Sequence, residues 1–160
     1  MNVSADSKSH IWYLYSKNNA MKKTAVNLIS LPSPKAGFNR AVLVEFGSYS
    51  FLIISGTASV GPRRQTMHKG DFLRQAKQTY KNIKNILASR GFKVADVIKW
   101  KIYLKDIKKH YSLFNKARDD FFRQNKVSRK DMGASVCVQA ELCRDDLLVE
   151  IEAVAFRCNK

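Results

Sequence analysis

The sequence predicts an α+β domain: one mixed β-sheet in the order β-β-α-β-α-β-β, with two helices on one face. Three observations carry this. Two segments rich in β-formers meet at Gly47-Ser48, and two helical repeats follow with an alternating strand between them. The last third, Gly133-Ala-Ser-Val-Cys-Val-Gln-Ala-Glu-Leu142 and then Leu147-Leu-Val-Glu-Ile-Glu-Ala-Val-Ala-Phe156, reads as two strands joined by a short polar turn. At 160 residues, 45% of them hydrophobic, the chain has material for one core and not for two. Residues 21–160 are read as that single domain. Residues 1–20 mix Ser, Asn and Lys around one aromatic cluster without a period and are read as an N-terminal extension.

Residues 40–46 and 49–55 form the opening hairpin, and residues 56–70, with three glycines, Pro62 and Arg63-Arg64, form a loop. Asp71 is placed to cap a helix of about five turns, in which Phe72, Ala76, Tyr80, Ile83 and Leu87 make the apolar stripe until Gly91 stops it. Residues 97–104 alternate, with Ile98, Trp100, Ile102 and Leu104 on one face and Lys99 and Lys101 on the other. Asp106 caps a second helix with Ile107, Tyr111, Phe114, Arg118 and Phe121 in one row. Residues 124–132 are polar and connect it to the closing strands. In this register Lys99, Lys101, Ser135, Cys137, Gln139, Glu150 and Glu152 share the side of the sheet that the helices leave uncovered.

The net charge is +16, and residues 63–130 hold 20 basic against 5 acidic side chains, a local excess of 15. Such a field attracts anions, nucleic acid among them. The lysines are nevertheless spread over helices and strands without the glycine-aromatic signature of an RNA-reading module, so any such contact is expected to be nonspecific. No apolar run approaches the ~20 residues of a membrane span. Cys137, Cys143 and Cys158 match no zinc or CxxC spacing, and His68 has no second ligand nearby. The expectation is a soluble cytoplasmic protein with reduced thiols and with no metal or cofactor.

Glu150 lies mid-strand between Val149 and Ile151, where a carboxylate needs water or a partner. Taken singly, it reads as a solvated or salt-bridged residue, Cys137 as a small buried side chain, and Asn115 as helix surface. Walker-type, GxSxG and His-rich patterns are missing.

A series of motifs in fixed order, however, resembles the Rid/YjgF family, once called the L-PSP endoribonuclease family. They are Ile53-Ile-Ser-Gly-Thr57, residues 75–87, residues 91–97, Tyr103-Leu-Lys-Asp106, Phe114-Asn115, Asp120-Phe-Phe122 and Val149-Glu-Ile-Glu-Ala-Val-Ala155, spanning roughly residues 37–157. The resemblance implies a chorismate-mutase-like fold in a homotrimer, with the sheets forming an inner barrel and ligand clefts between subunits. In the deaminating branch, enamines and imines of small carboxylates are hydrolysed there; a cleft arginine grips the carboxylate and a strand glutamate activates water. By that resemblance Glu150 is the catalytic carboxylate, and Gly56, Thr57, Asn115, Ser135 and Cys137 are substrate contacts. The arginine itself does not match: Ser135 stands two residues before Cys137, so a carboxylate anchor has to come from elsewhere, such as Arg40, Arg129 or Arg144.

Ser55-Gly-Thr-Ala-Ser59, His68-Lys-Gly-Asp71 and Leu142-Cys-Arg144 are also similar to the Rid-like C-terminal half of chorismatases, whose other half has no counterpart in these 160 residues. The readings that follow are a Rid-type deaminase or hydrolase, a non-catalytic metabolite-binding trimer, a chorismatase-like role, and an RNA-binding or ribonuclease role.

Overall fold

A computed structural model describes residues 20–31 and 37–158, so all but the last residue of the extension lies outside the described residues. Six strands form one sheet: β1 (Lys22–Val26), β2 (Ala41–Phe46), β3 (Tyr49–Ala58), β4 (Val97–Leu104), β5 (Ala134–Gln139) and β6 (Val149–Cys158). Two helices, α1 (Phe72–Ala88) and α2 (Ile107–Gln124), complete the domain. The strand order is β1-β2-β3-β6-β4-β5. Every neighbouring pair is antiparallel except β4 and β5, which are parallel and joined through α2, as parallel neighbours require a crossover.

Both helices are capped as their sequences direct: the Asp71 carboxylate accepts from the Arg74 N–H and the Asp106 carboxylate from the Lys109 N–H. The apolar stripe of α1 is buried against β3 and β6, together with Ile86. Tyr80 sits at the junction of the layers, stacked on Phe121 of α2 at 4.4 Å and edge-on to Trp100 of β4 at 6.0 Å. The aromatic row read on the two helices is therefore core.

Three expectations need correction. A further strand, β1, precedes the hairpin and pairs with β2 from Lys22 opposite Glu45 to Val26 opposite Ala41. In β4 a register irregularity between Val97 and Lys99 turns Ile98 outward, 47% exposed, and buries Val97 instead. The uncovered side is also composed differently. Glu150 pairs with Tyr103, and Tyr103 with Val138, so those three share a face; Ile151, Ile102 and Cys137 share the other. Ser135, Cys137 and Gln139 thus face the helices, while Ala134, Val136 and Val138 join Lys99, Lys101, Glu150 and Glu152 on the uncovered side.

That uncovered face is largely apolar. Phe46, Tyr49, Phe51, Ile53, Val136 and Val138 are each more than a third exposed on it. Glu152 is bound in place there by the Tyr103 hydroxyl, which donates to its Oε1 at 2.9 Å.

Candidate functional site

The arrangement around Glu150 begins with a break in strand pairing. Ile54 pairs with Ala153 and Thr57 with Ile151, so β3 spends three residues where β6 spends two, and Ser55-Gly56 take up the excess. The bulge is self-satisfied: the Thr57 hydroxyl donates to the Ser55 carbonyl at 2.8 Å, and the Ser55 hydroxyl to the Asn39 carbonyl at 2.8 Å. Thr57 is fully buried on the helix side, which makes it a shaping residue of the bulge and not a surface offered to a ligand. Gly56 lies directly beneath the Glu150 carboxylate, and a Cβ at residue 56 would overlap Glu150 Oε1.

Glu150 forms one wall of a pocket of about 440 Å3 with Gly56, Arg40, Arg64, Arg144 and Leu147. Burial, and then the neighbouring Glu152, push the Glu150 carboxyl above its ordinary range, while Arg40 holds it back. Arg40 is 7% exposed; burial lowers its pKa, Arg144 and Arg64 add to that effect, and Glu150 opposes it. Arg144 Nη1 donates to the Arg64 carbonyl at 2.7 Å, fixing the loop that carries Arg64. One raised carboxylate facing three guanidinium groups can accept a proton from water and attract an anion.

The site is held from behind by amides on α1. Gln75, fully buried, donates to the Asp146 carbonyl at 2.8 Å and accepts from the Leu148 N–H at 2.9 Å, anchoring the start of β6 two residues before Glu150. Asn82 donates to the carbonyls of Ala58 and Val60 at 2.9 and 3.1 Å, anchoring the end of β3. The Thr66 hydroxyl and Lys69 both hold the Asp146 carboxylate, at 2.7 and 2.9 Å. Sequence reasoning missed Gln75, Asn82 and Arg64. Two amides on the buried side of an amphipathic helix were the signal, because a buried amide needs partners.

The remaining expected residues are elsewhere. Cys137 and Ser135 are on β5, at the opposite edge from β1 and on the opposite face from Glu150. Asn115 is on α2, half-buried, with an Oδ1 that has no hydrogen-bond partner among the described residues. Burial raises the Cys137 thiol pKa and the Arg118 charge opposes it; with the net shift upward, the thiol is neutral at physiological pH. One chain thus gathers Arg40, Gly56, Arg144 and Glu150 and leaves Asn115, Ser135 and Cys137 apart. Arg129, in the turn before β5, lines neither group. Among the described residues no three His, Cys, Asp or Glu side chains gather as a metal-ligand set, and no helix is long and apolar enough to cross a membrane. The basic excess on α1 lies away from Glu150: Lys77, Lys81 and Lys84 line a groove with Asp120 of α2.

This architecture has known counterparts. A RutC family protein of Pyrococcus horikoshii is 32% identical over 126 residues, 79% of this chain and 91% of that protein. The 2-iminobutanoate/2-iminopropanoate deaminase of Salmonella typhimurium is 31% identical over 68% of this chain and 80% of its own length. The crystal structure of Escherichia coli TdcF with bound serine superposes with a TM-score of 0.70 at 25% identity, covering 84% of this chain and 98% of that one. The endoribonuclease L-PSP profile matches residues 28–157, the whole sheet and both helices save β1 and the last residue of β6, and the chain belongs to that family, the Rid/YjgF proteins.

Proposed function

We propose that this protein hydrolyses small 2-imino or enamine carboxylates to the 2-oxo acid and ammonia, in clefts between the copies of a homotrimer. The observation that carries the reading is Glu150, a carboxylate of raised pKa seated over Gly56 and facing Arg40, Arg64 and Arg144. Relatives named as 2-iminobutanoate/2-iminopropanoate deaminases supply the substrate class. Trimerisation is supported by the apolar outer face of the sheet, which packing against other copies would cover, and by the separation of Asn115, Ser135 and Cys137 from Glu150 within one chain.

In this reading the arginines draw in the anionic substrate, and Glu150 takes a proton from a water whose oxygen bonds to the imine carbon. Glu150 returns that proton to nitrogen, which completes the carbinolamine; it then moves the carbinolamine hydroxyl proton to nitrogen, the C–N bond breaks, ammonia leaves and the carbonyl of the 2-oxo acid forms. The overall change is addition of one water and loss of one ammonia. No oxidation state changes, and no electron sink is required.

The test supplies imines from an amino-acid oxidase and follows their lifetime by trapping. The wild-type protein should shorten it, and Glu150→Gln should slow turnover by about 100-fold or more with assembly and circular dichroism unchanged. A wild-type protein that leaves imine lifetime untouched would sink the reading. Ser135, standing where the resemblance expects an arginine, favours a second reading, retention of metabolite binding without turnover; that reading predicts 2-oxo acid binding in the same experiment with no acceleration.

A further inference from the structure

We propose that Arg118 of α2 is the residue that holds the ligand's carboxylate, in a trough between α2 and the edge strand β5, with the Ser135 hydroxyl beside it. The inference rests on the deaminase reading only for the step in which a neighbouring copy brings Glu150 to the imine carbon; binding by Arg118 needs one chain.

The trough follows from how α2 lies along β5. Gln139 Oε1 accepts from the Ile107 N–H at 3.2 Å, which pins the first turn of the helix to the far end of the strand. Further along, Tyr111 and Lys108 face Cys137 across an open pocket of about 540 Å3. Beyond that, Arg118 and Phe122 face Ser135 across a narrower pocket of about 120 Å3, walled by Tyr80, Trp100 and Met132. Tyr111, Asn115, Arg118 and Phe122 are spaced by four, three and four residues and so form one stripe on the helix.

Three properties make the narrow end a carboxylate site. Arg118 spends Nε and Nη2 on a single oxygen of Asp119, at 3.1 and 3.0 Å, and its Nη1 makes no hydrogen bond among the described residues. The Asp119 side chain is 64% exposed, so that pair is weak and leaves a guanidinium able to take a second carboxylate through its fork. Tyr80, the titratable group in the wall of this pocket, and Cys137 farther along β5 are both held neutral by burial and do not compete for the charge. One turn before Arg118 on the same stripe, Asn115 Oδ1 is buried and has no hydrogen-bond partner among the described residues. The aromatic wall suits a short aliphatic or single-ring tail.

Among the described residues Arg118 hydrogen-bonds only to the adjacent Asp119, and it is partly exposed, so its replacement spares the core. Calorimetric titration with 2-oxobutanoate and with benzoate, on wild-type protein, Arg118→Met, Arg118→Lys, Ser135→Ala and Glu150→Gln, reads the proposal directly. Arg118→Met should weaken binding at least tenfold and Ser135→Ala less. Arg118→Lys should fall between, because a point charge replaces a fork, and Glu150→Gln should still bind. In the imine assay Arg118→Met should raise KM far more than it lowers kcat, and Ser135→Arg added to Arg118→Met should restore part of the affinity from the strand side of the same pocket. Oxo-acid binding that depends on Arg118 without imine turnover refutes the deaminase reading and upholds this one. Turnover that depends on Glu150 with KM indifferent to Arg118→Met does the reverse, and wild-type protein that binds neither acid at millimolar concentration overturns the Arg118 proposal.

Discussion

The Glu150 pocket and the β5–α2 trough are built in opposite ways. Around Glu150, buried amides from α1 fix the chain on both flanks, at Leu148 and at Ala58, and the bulge satisfies its own hydroxyls. In the trough the strand is an edge, Ser135 is exposed, and Asn115 Oδ1 has no partner among the described residues. A group that must hold one protonation state and one orientation needs a rigid seat, whereas a group that must accept and release a ligand needs unspent hydrogen-bonding capacity. On the proposed readings the first region carries the chemistry and the second recognition, and turnover is the step for which assembly must bring them together.

The largest effect should come from separating the two regions. Ile53→Glu places a charge in the exposed apolar face, opposite Val42 and Val154. Sedimentation should show the trimer reduced to monomer and turnover lost below detection, with the far-ultraviolet spectrum kept, because the side chain already faces away from the core. A fully active monomer would mean that one chain holds a complete site.

The next effect isolates the rigid seat. Gly56→Ala forces the Glu150 carboxylate aside, and because the clash is with the far end of a flexible side chain the fold should absorb it. Turnover should fall by about 100-fold with little change in Tm and with 2-oxo acid affinity preserved. Equal loss of affinity would place ligand recognition at Glu150 instead of in the trough.

Gln75→Leu tests what holds that seat. It leaves the Leu148 N–H buried without an acceptor, which costs about 1–3 kcal/mol. Thermal unfolding should show the loss. Asn115→Leu, which removes an unpartnered oxygen, should cost less or nothing. A Gln75→Leu variant as stable as wild type would remove the contrast between a fastened and an unfastened region.

Which parts were legible in the sequence follows the same division. The stripe of α1 announces itself because Phe72, Ala76, Tyr80, Ile83 and Leu87 repeat over many turns against one core. β1 does not, because five residues beginning Lys22-Lys23 at a sheet edge carry no buried face until Val26. The strand β5 was read inside out for a sharper reason. Alternation alone turns its valines inward, but the sheet's outer face is itself apolar, so Val136 and Val138 go outward and Ser135, Cys137 and Gln139 turn toward α2. Alternation gives the period but not the sign when both faces of a sheet are apolar. Glu150 and Gly56 were legible only through family motifs, since their pairing depends on a three-for-two bulge that no local pattern encodes. Arg118 is read from the sequence as a member of the apolar row of α2 and not as a site residue, although a charge in such a row is rarely retained without a partner or a ligand.

The smallest effect is a pair of opposed titrations, one at Glu150 and one in the core beneath α2. His110 on α2 is 6% exposed, stacked on Phe72 at 4.4 Å, with Nδ1 unpartnered among the described residues. Burial, then Lys109, lower its pKa below 6.5 against the opposing pull of Asp106. The unfolded chain therefore binds the proton first, and the stability contributed by neutral His110 is present above pH 6.5 and lost as pH falls through the lowered folded value. Glu150 has the reverse sign. Its folded pKa is raised above 4.5, so its contribution is complete below 4.5 and lost as pH rises through the folded value, which means acidification restores it. Between pH 7.5 and 5 the two partly cancel, and wild-type Tm should move by only a few degrees. Glu150→Gln should steepen the acid-side loss and His110→Phe, which keeps the stack on Phe72, should flatten it. If both variants track the wild-type curve, neither group titrates in this window and the opposed shifts of Glu150 and His110 are refuted.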